Sequence, residues 1–233
     1  MSIDLNLPGL TMYAGMEQRS LEWYQARCGV VTASIVGSLL TPSGLKPANN
    51  DTSRGLMNTL IAERITGHVE PTYVSQDMLR GQLDEPLARA LYADTHKVAV
   101  TELGFMVREF DNVRIGYSPD GLVGGDGLIE IKSRNPKEQI SFILSGQIPH
   151  DHMAQMQTGM LVSGRSWCDY VSYAGGLPMV TKRVEADLEW RVSILDAVRE
   201  FEARLIEAMA AYYVKTSGLP IPERIDYFGD VEI

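Results

Sequence analysis

The chain has 233 residues, 45% of them apolar and 22% charged, an ordinary balance for a globular protein with a core of its own. Its formal charge of −9 argues against a protein that coats nucleic acid through a basic face. It leaves room for an enzyme that holds nucleic acid in one local cleft, because a carboxylate-rich metal site is itself acidic before cations bind.

No apolar run approaches the roughly 18 residues of a membrane span. The N-terminal M-S-I-D-L-N-L-P has neither the basic flank nor the apolar stretch of a signal peptide. Cys28 and Cys168 make no disulfide framework or zinc spacing. These features lead us to expect a cytoplasmic protein with reduced thiols. One domain is expected over 1–233, with its core at about 16–216. The tail, 217–233, is expected to be ordered in part at most.

Residues 1–15 read as irregular. Ser20 caps a short helix over 21–28, which Gly29 stops. Thr32 reads as the N-cap of a second helix ending near Thr41-Pro42. The run 42–53 is loop by composition, with mobility expected. Leu56, Leu60, Ile61 and Ile65 keep helical spacing across 54–66, and Gly67 closes that helix. A longer helix over about 75–95 carries Leu79, Leu83, Leu87 and Leu91 as its buried stripe. Pro86 should kink or restart it near Glu85. Strands follow at 98–102, 105–110, 113–117 and 128–132, read as a mostly antiparallel meander. A helix over 151–162 carries Gln155 and Gln157. Two more strands, 168–174 and 179–184, precede a long amphipathic helix over 187–215. Its buried stripe is Ile194, Leu195, Val198, Phe201, Leu205 and Met209. The order predicts a mixed α/β (α+β) domain with a central sheet flanked by helices.

The chemistry concentrates in Val113–Ser133. In the strand Leu128–Lys132, side chains alternate faces, so Glu130 and Lys132 share one and Ile131 takes the other. Asp120 approaches from a neighbouring strand, and Glu85 stands at the expected bend of the upstream helix. Asp84 precedes Glu85 and either could serve; the E-P-x-A-R run favours Glu85. Such hard oxygen donors suit Mg2+, which keeps several waters and needs few carboxylates. A lysine facing two carboxylates stays protonated, which favours an electrostatic role for Lys132. E-x-K alone is more often a solvated strand edge. S-P-D-G-L alone is a good turn sequence. The two together, with a helical acid upstream, point to a metal site.

Five motifs in order carry a resemblance. They are W-Y-Q-A-R-C-G-V-V-T-A-S at 23–34, R-G-Q-L-D-E-P-L-A-R at 80–89, Y-S-P-D-G-L at 117–122, I-E-I-K-S at 129–133 and H-M-A-Q-M-Q at 152–157. The chain resembles the PD-(D/E)-x-K nuclease superfamily, and within it the phage lambda exonuclease and YqaJ-like viral recombinase family. The resemblance covers over half the chain. It implies a restriction-endonuclease-like fold and a Mg2+-dependent exonuclease acting on linear double-stranded DNA. The 5′-ended strand would be degraded to 5′-mononucleotides, leaving 3′ single-stranded tails for recombination. By match, Glu85, Asp120 and Glu130 bind two Mg2+ ions, which Mn2+ would replace, with the Ile131 carbonyl as a further ligand. Lys132 is the matching catalytic lysine. Arg27, Ser34, Ser118 and Gln155 fall where family members grip the terminal 5′-phosphate.

The residues support part of that assignment independently. Arg27 can take a phosphate bidentately. Ser34 lies in the first turn of an expected helix, where free N–H groups favour anions. Ser118 is two residues from Asp120. Without the resemblance, a surface ion pair suits Arg27 as well, and simple capping is the default for Ser34. Gln155 would default to a helix-surface amide. Gln157 should face elsewhere. Trp23 reads as core before a base-stacking wedge. His96 and His152 have no ligand spacing.

The resemblance also implies a homotrimeric ring and a single-strand annealing protein as partner, in a phage- or prophage-encoded protein of a bacterial host. The acidic tail after Leu219 is one place such a partner could dock. Two other readings compete: an endonuclease or resolvase-like member of the superfamily, and a non-catalytic recombination scaffold. Cleavage of circular DNA would separate the first, and an intact D…E-x-K argues against the second.

Overall fold

The alternating run around Ile131 forms the middle of the main sheet in the structure, a computed structural model describing residues 7–70 and 74–225. With elements numbered along the chain, this sheet comprises β3 (Val100–Thr101), β6 (Gly121–Val123), β7 (Gly127–Ser133), β8 (Trp167–Tyr173) and β9 (Val180–Glu185), in that spatial order. β7 and β8 run parallel, and the other neighbours are antiparallel.

Alternation sends the two faces of β7 to different layers. Leu128 packs with Cys168 and Tyr170 against α6 (His150–Ser163) and α7 (Leu188–Thr216). Ile129 and Ile131 pack with Val123 and Val171 on Ala88 and Tyr92 of α4 (Gln76–His96). The sheet is thus covered on both faces, which is why Glu130 is only 1% exposed.

A second sheet holds β1 (Leu10–Tyr13), β4 (Phe105–Phe110), β5 (Val113–Tyr117) and β2 (Val31–Thr32), in the order β1-β4-β5-β2. β2 lies parallel to β5, directly after α1 (Leu21–Arg27). That pairing brings the Arg27 end of α1 beside the turn that follows β5. The remaining helices are α2 (Ala33–Val36), α3 (Asp51–Thr66) and α5 (Pro136–Ser145).

The mixed α/β class and the flanking helices agree with the sequence reading, and several local expectations do not. The single meander is two sheets: the β4–β5 hairpin belongs to one and β7 to the other. The S-P-D-G-L run reads as a turn, yet its Gly121 and Leu122 belong to β6, the strand that adjoins β7. β1 lies in a stretch expected to be irregular. The helix after Thr32 is one turn, followed by a 3-10 turn at Gly37–Leu39; Thr32 is its N-cap residue but makes no side-chain capping hydrogen bond. α3 begins earlier than expected, at Asp51, through a capping box between Asn50 and Ser53. α5 is an additional helix, opened by a capping box between Asn135 and Glu138 and by Pro136 in its first turn. α4 runs through Pro86 as one helix.

The stripe on α4 is reversed. Leu79, Leu83, Leu87 and Leu91 are 50%, 65%, 59% and 43% exposed, while Ala88 and Tyr92 face the sheet. Periodicity finds a stripe but not its partner, and the small Ala88 allows the closer approach. On α7, by contrast, Ile194, Val198, Phe201 and Leu205 are buried as expected, with Leu195 and Met209 packed beside them. The expectation for the tail falls partly on 226–233, outside the described residues.

Candidate active site

Sheet register assembles the acidic group. Gly121 pairs with Ile129, so the preceding Asp120 stands across from Glu130. The Ile131 amide donates to Asp120 Oδ2 at 2.6 Å and fixes that carboxylate against β7. One residue on, Lys132 Nζ donates to Glu130 Oε1 at 2.8 Å and to Gln155 Oε1 of α6 at 3.0 Å. Glu130 and Lys132 therefore do share a face, and Ile131 takes the other.

Glu85 enters from α4. Its Oε2 accepts from Arg19 at 3.0 Å, and its Oε1 accepts from Arg89, one helical turn on. Arg89 also donates to the Asp120 carbonyl at 2.7 Å, which ties α4 to the turn carrying Asp120. The neighbouring Asp84 points away and accepts from Ser133 Oγ at 2.6 Å. Of the two acids, Glu85 is the one whose charge acts on Asp120.

Burial pushes the Asp120 carboxyl well above the usual range, and the charges of Glu130 and Glu85 push it further. Burial also raises Glu130, against the lowering pull of Lys132. Burial alone would lower Lys132, but Glu130 and Asp120 outweigh it and the ammonium is held more tightly.

Among the described residues, no three Asp, Glu, His or Cys side chains are gathered to hold a metal as they stand. The hydrogen bonds give the reason: Glu85 is turned onto two arginines, and Glu130 Oε1 is engaged by Lys132. A cation nevertheless fits this donor set. Glu130 Oε2 is buried and has no hydrogen-bond partner, which is costly for a carboxylate oxygen unless a proton or a cation meets it. The donors are hard oxygens, the ligand type Mg2+ takes.

Beside Asp120 lies a cleft of about 160 Å³ bordered by Arg27, Ser34, Ser118 and Gln155, together with Gln18 and Trp23. The four residues expected at a 5′-phosphate thus converge from α1, α2, α6 and the turn after β5. Arg27 Nη1 donates to Ser118 Oγ at 3.2 Å, and Nη2 reaches Thr32 Oγ1 at 3.5 Å. The Thr32 and Ser34 hydroxyls lie 3.1 Å apart. Burial lowers Arg27 to about 10, so it remains cationic at neutral pH. Because α2 is a single turn, Ser34 contributes its hydroxyl more than a helix terminus. Trp23 is not core. It is half-buried, donates to Ser118 Oγ at 2.9 Å and carries the Arg27 guanidinium 4.0 Å over its ring. Gln157 does face elsewhere, bonding the Glu185 carbonyl at 2.9 Å and the Asp187 amide at 3.0 Å.

Sequence reasoning missed Arg19, Arg89 and the group behind Lys132. His152 Nδ1 lies 2.8 Å from the Tyr170 hydroxyl, which Arg134 also contacts. Burial, with Lys132 and Arg134 nearby, lowers His152 to about 3 and keeps it neutral. Arg89 lies four residues after Glu85, a spacing that signals a helical ion pair. Nothing in the spacing marks Arg19.

The chain is similar to known exonucleases in sequence and fold. An alkaline exonuclease from Laribacter hongkongensis, LHK-Exo, is 36% identical over 86% of this chain and 100% of its own, with a TM-score of 0.77. The same enzyme in complex with dAMP superposes with a TM-score of 0.76. A phage related exonuclease from Haemophilus somnus 129PT, 13% identical over 78% of this chain and 96% of its own, shares the fold at a TM-score of 0.60. The fold is the restriction-endonuclease-like fold of these exonucleases. No curated protein matches. The family described as YqaJ-like viral recombinase domain matches residues 22–166, and the chain belongs to it.

Proposed function

We propose that the protein is a Mg2+-dependent exonuclease that digests the 5′-ended strand of linear duplex DNA, releases 5′-mononucleotides and leaves a 3′ single-stranded tail. One observation carries the reading. Asp120 borders both the buried Glu130–Lys132 pair and the cleft of Arg27, Ser34, Ser118 and Gln155. A phosphate seated in the cleft therefore lies next to the acids.

Glu85, Asp120, Glu130 and the Ile131 carbonyl would hold two Mg2+ ions, with Mn2+ able to substitute. Bound there, a divalent ion neutralises phosphoryl oxygens and lowers the pKa of a water. Arg27, Ser34, Ser118 and Gln155 grip the terminal 5′-phosphate and set which bond is presented. Glu130 and Asp120 hold the Lys132 proton more tightly, which favours Lys132 as an electrostatic stabiliser of the developing charge. Water adds to phosphorus, the bond to the 3′-oxygen breaks, and that oxygen takes up a proton. The shortened strand again begins with a 5′-phosphate, the group the cleft binds, so the step can repeat.

The exposed leucine stripe of α4 offers an apolar face for contact with another chain, and the homotrimer itself rests on the family. A single-strand annealing protein as partner, and a phage- or prophage-encoded protein in a bacterial cytoplasm, rest on the family. Among the described residues, no helix is long and apolar enough to cross a membrane.

The test is an end-labelled linear duplex with Mg2+, bearing 5′-phosphate or 5′-hydroxyl ends, beside a supercoiled plasmid. Faster mononucleotide release from phosphorylated ends, with the plasmid intact, is expected. Plasmid cleavage at a comparable rate would favour an endonuclease instead.

A further inference from the structure

Both carboxylate oxygens of Glu85 are taken by arginines, and the two arginines are not equivalent. Arg89 is 13% exposed and has further acceptors in the Asp120 carbonyl at 2.7 Å and Glu102 at 2.9 Å. Arg19 is 44% exposed and pairs with Glu85 at 3.0 Å. Among the described residues, Arg19 makes that one ion pair and no other side-chain hydrogen bond. Its backbone has φ 73°, a left-handed conformation that a residue with a side chain seldom holds unless its surroundings impose it.

A divalent ion accepted by Glu85 takes a lone pair on one of those oxygens and repels the guanidiniums already there, so the less firmly held arginine is the one displaced. Burial and number of partners select Arg19. The freed guanidinium would stand in a second cleft, of about 240 Å³, lined by Gln18, Arg19, Gln82, Glu85, Arg89 and Glu102. Gln18 borders this cleft and the Arg27 cleft alike, and its Nε2 donates to the Pro119 carbonyl at 3.0 Å between them. A strand with its 5′-phosphate at Arg27 and its next phosphate between Asp120 and Glu85 therefore continues into the second cleft.

We propose that Arg19 exchanges Glu85 for a backbone phosphate on the 3′ side of the cut as the divalent ion loads, and that the second cleft receives that part of the strand. The inference rests on the exonuclease reading. In it Arg19 couples metal loading to substrate engagement: without DNA it competes with the ion for Glu85, and with DNA it has a second anion to meet.

Two measurements on Arg19→Ala, with Arg19→Lys as a variant that keeps the charge, test it without turnover. The first is Mn2+ binding to the DNA-free protein, followed by the electron paramagnetic resonance of free Mn2+. Loss of a half-exposed ion pair should tighten binding about two- to fivefold in Arg19→Ala. The second is binding of a 5′-phosphorylated duplex in Ca2+ at varied salt. Arg19→Ala should bind more weakly, with a salt slope smaller by about 0.9, the value for one lost phosphate contact, and Arg19→Lys should restore the slope. Unchanged or weaker Mn2+ binding in Arg19→Ala, or an unchanged salt slope, overturns the proposal. A wild-type protein that binds Mn2+ but neither binds nor digests DNA would instead overturn the exonuclease reading.

Discussion

Arg64 meets Glu202 with both terminal nitrogens, at 2.8 and 2.6 Å, and its Nε at the same time donates to the Gly29 carbonyl at 2.8 Å. The Gly29 amide donates to Glu63 at 2.6 Å, so α3 holds both backbone polar groups of this residue. Gly29 has φ +67°, and a Cβ there would lie 2.5 Å from Arg64 Cγ, so the turn needs glycine on both counts. This turn separates Arg27 from Thr32 and Ser34, and it sets their spacing around the cleft beside Asp120.

Arg64→Ala should therefore act twice. The cost should be about 2 kcal/mol, below that of breaking a fully buried pair because Arg64 keeps 26% of its side chain exposed. Chemical denaturation measures this. The preference for 5′-phosphate over 5′-hydroxyl ends should narrow as well.

Lys132→Ala and Glu130→Gln should each lower mononucleotide release by about a hundredfold or more under saturating Mg2+. Circular dichroism should show the fold retained. Unchanged activity in Lys132→Ala would contradict the assigned chemistry.

Asp120 gives a pH signature. Its folded pKa lies above the unfolded value, so the folded state binds the proton more tightly. Its contribution to stability is then fully present below the unfolded pKa, about 4, and is lost as pH rises through the folded value. Without divalent ions, Asp120→Asn should raise the melting temperature at pH 8 by a few degrees and change it little near pH 4. Equal effects at both pH values would argue against a strained carboxylate.

Arg27→Ala removes the only charged member of the phosphate cleft's expected gripping set. The ratio of rates on 5′-phosphate and 5′-hydroxyl ends should fall about tenfold to a hundredfold, the range for one charge-assisted hydrogen-bonding partner. Digestion of 5′-hydroxyl ends should change far less.

Leu83→Asp and Leu87→Asp place charge on the exposed stripe of α4. Light scattering of the wild type should report about three times 25.8 kDa, and the double variant should fall towards one chain. A wild-type monomer at working concentration would sink the ring.

The sequence by itself determined which residues make up the candidate site. The E-x-K alternation, the acid in S-P-D-G-L and the run E-P-x-A-R are local patterns, and strand and helix periods convert them into faces without further information. The same holds for α7, whose stripe is continuous enough to mark its own buried side. Only the tertiary structure decided which strands pair. Asp120 reaches Glu130 through β6, a three-residue strand too short to leave a periodic signal. It also decided which way the leucines of α4 point. A helical stripe encodes an apolar face but not its partner, and the sheet took the side with Ala88 and Tyr92. The pairing of Glu85 with Arg19 lies 66 residues apart in the chain, beyond any local pattern, and exists only because α4 and the loop before α1 meet in space.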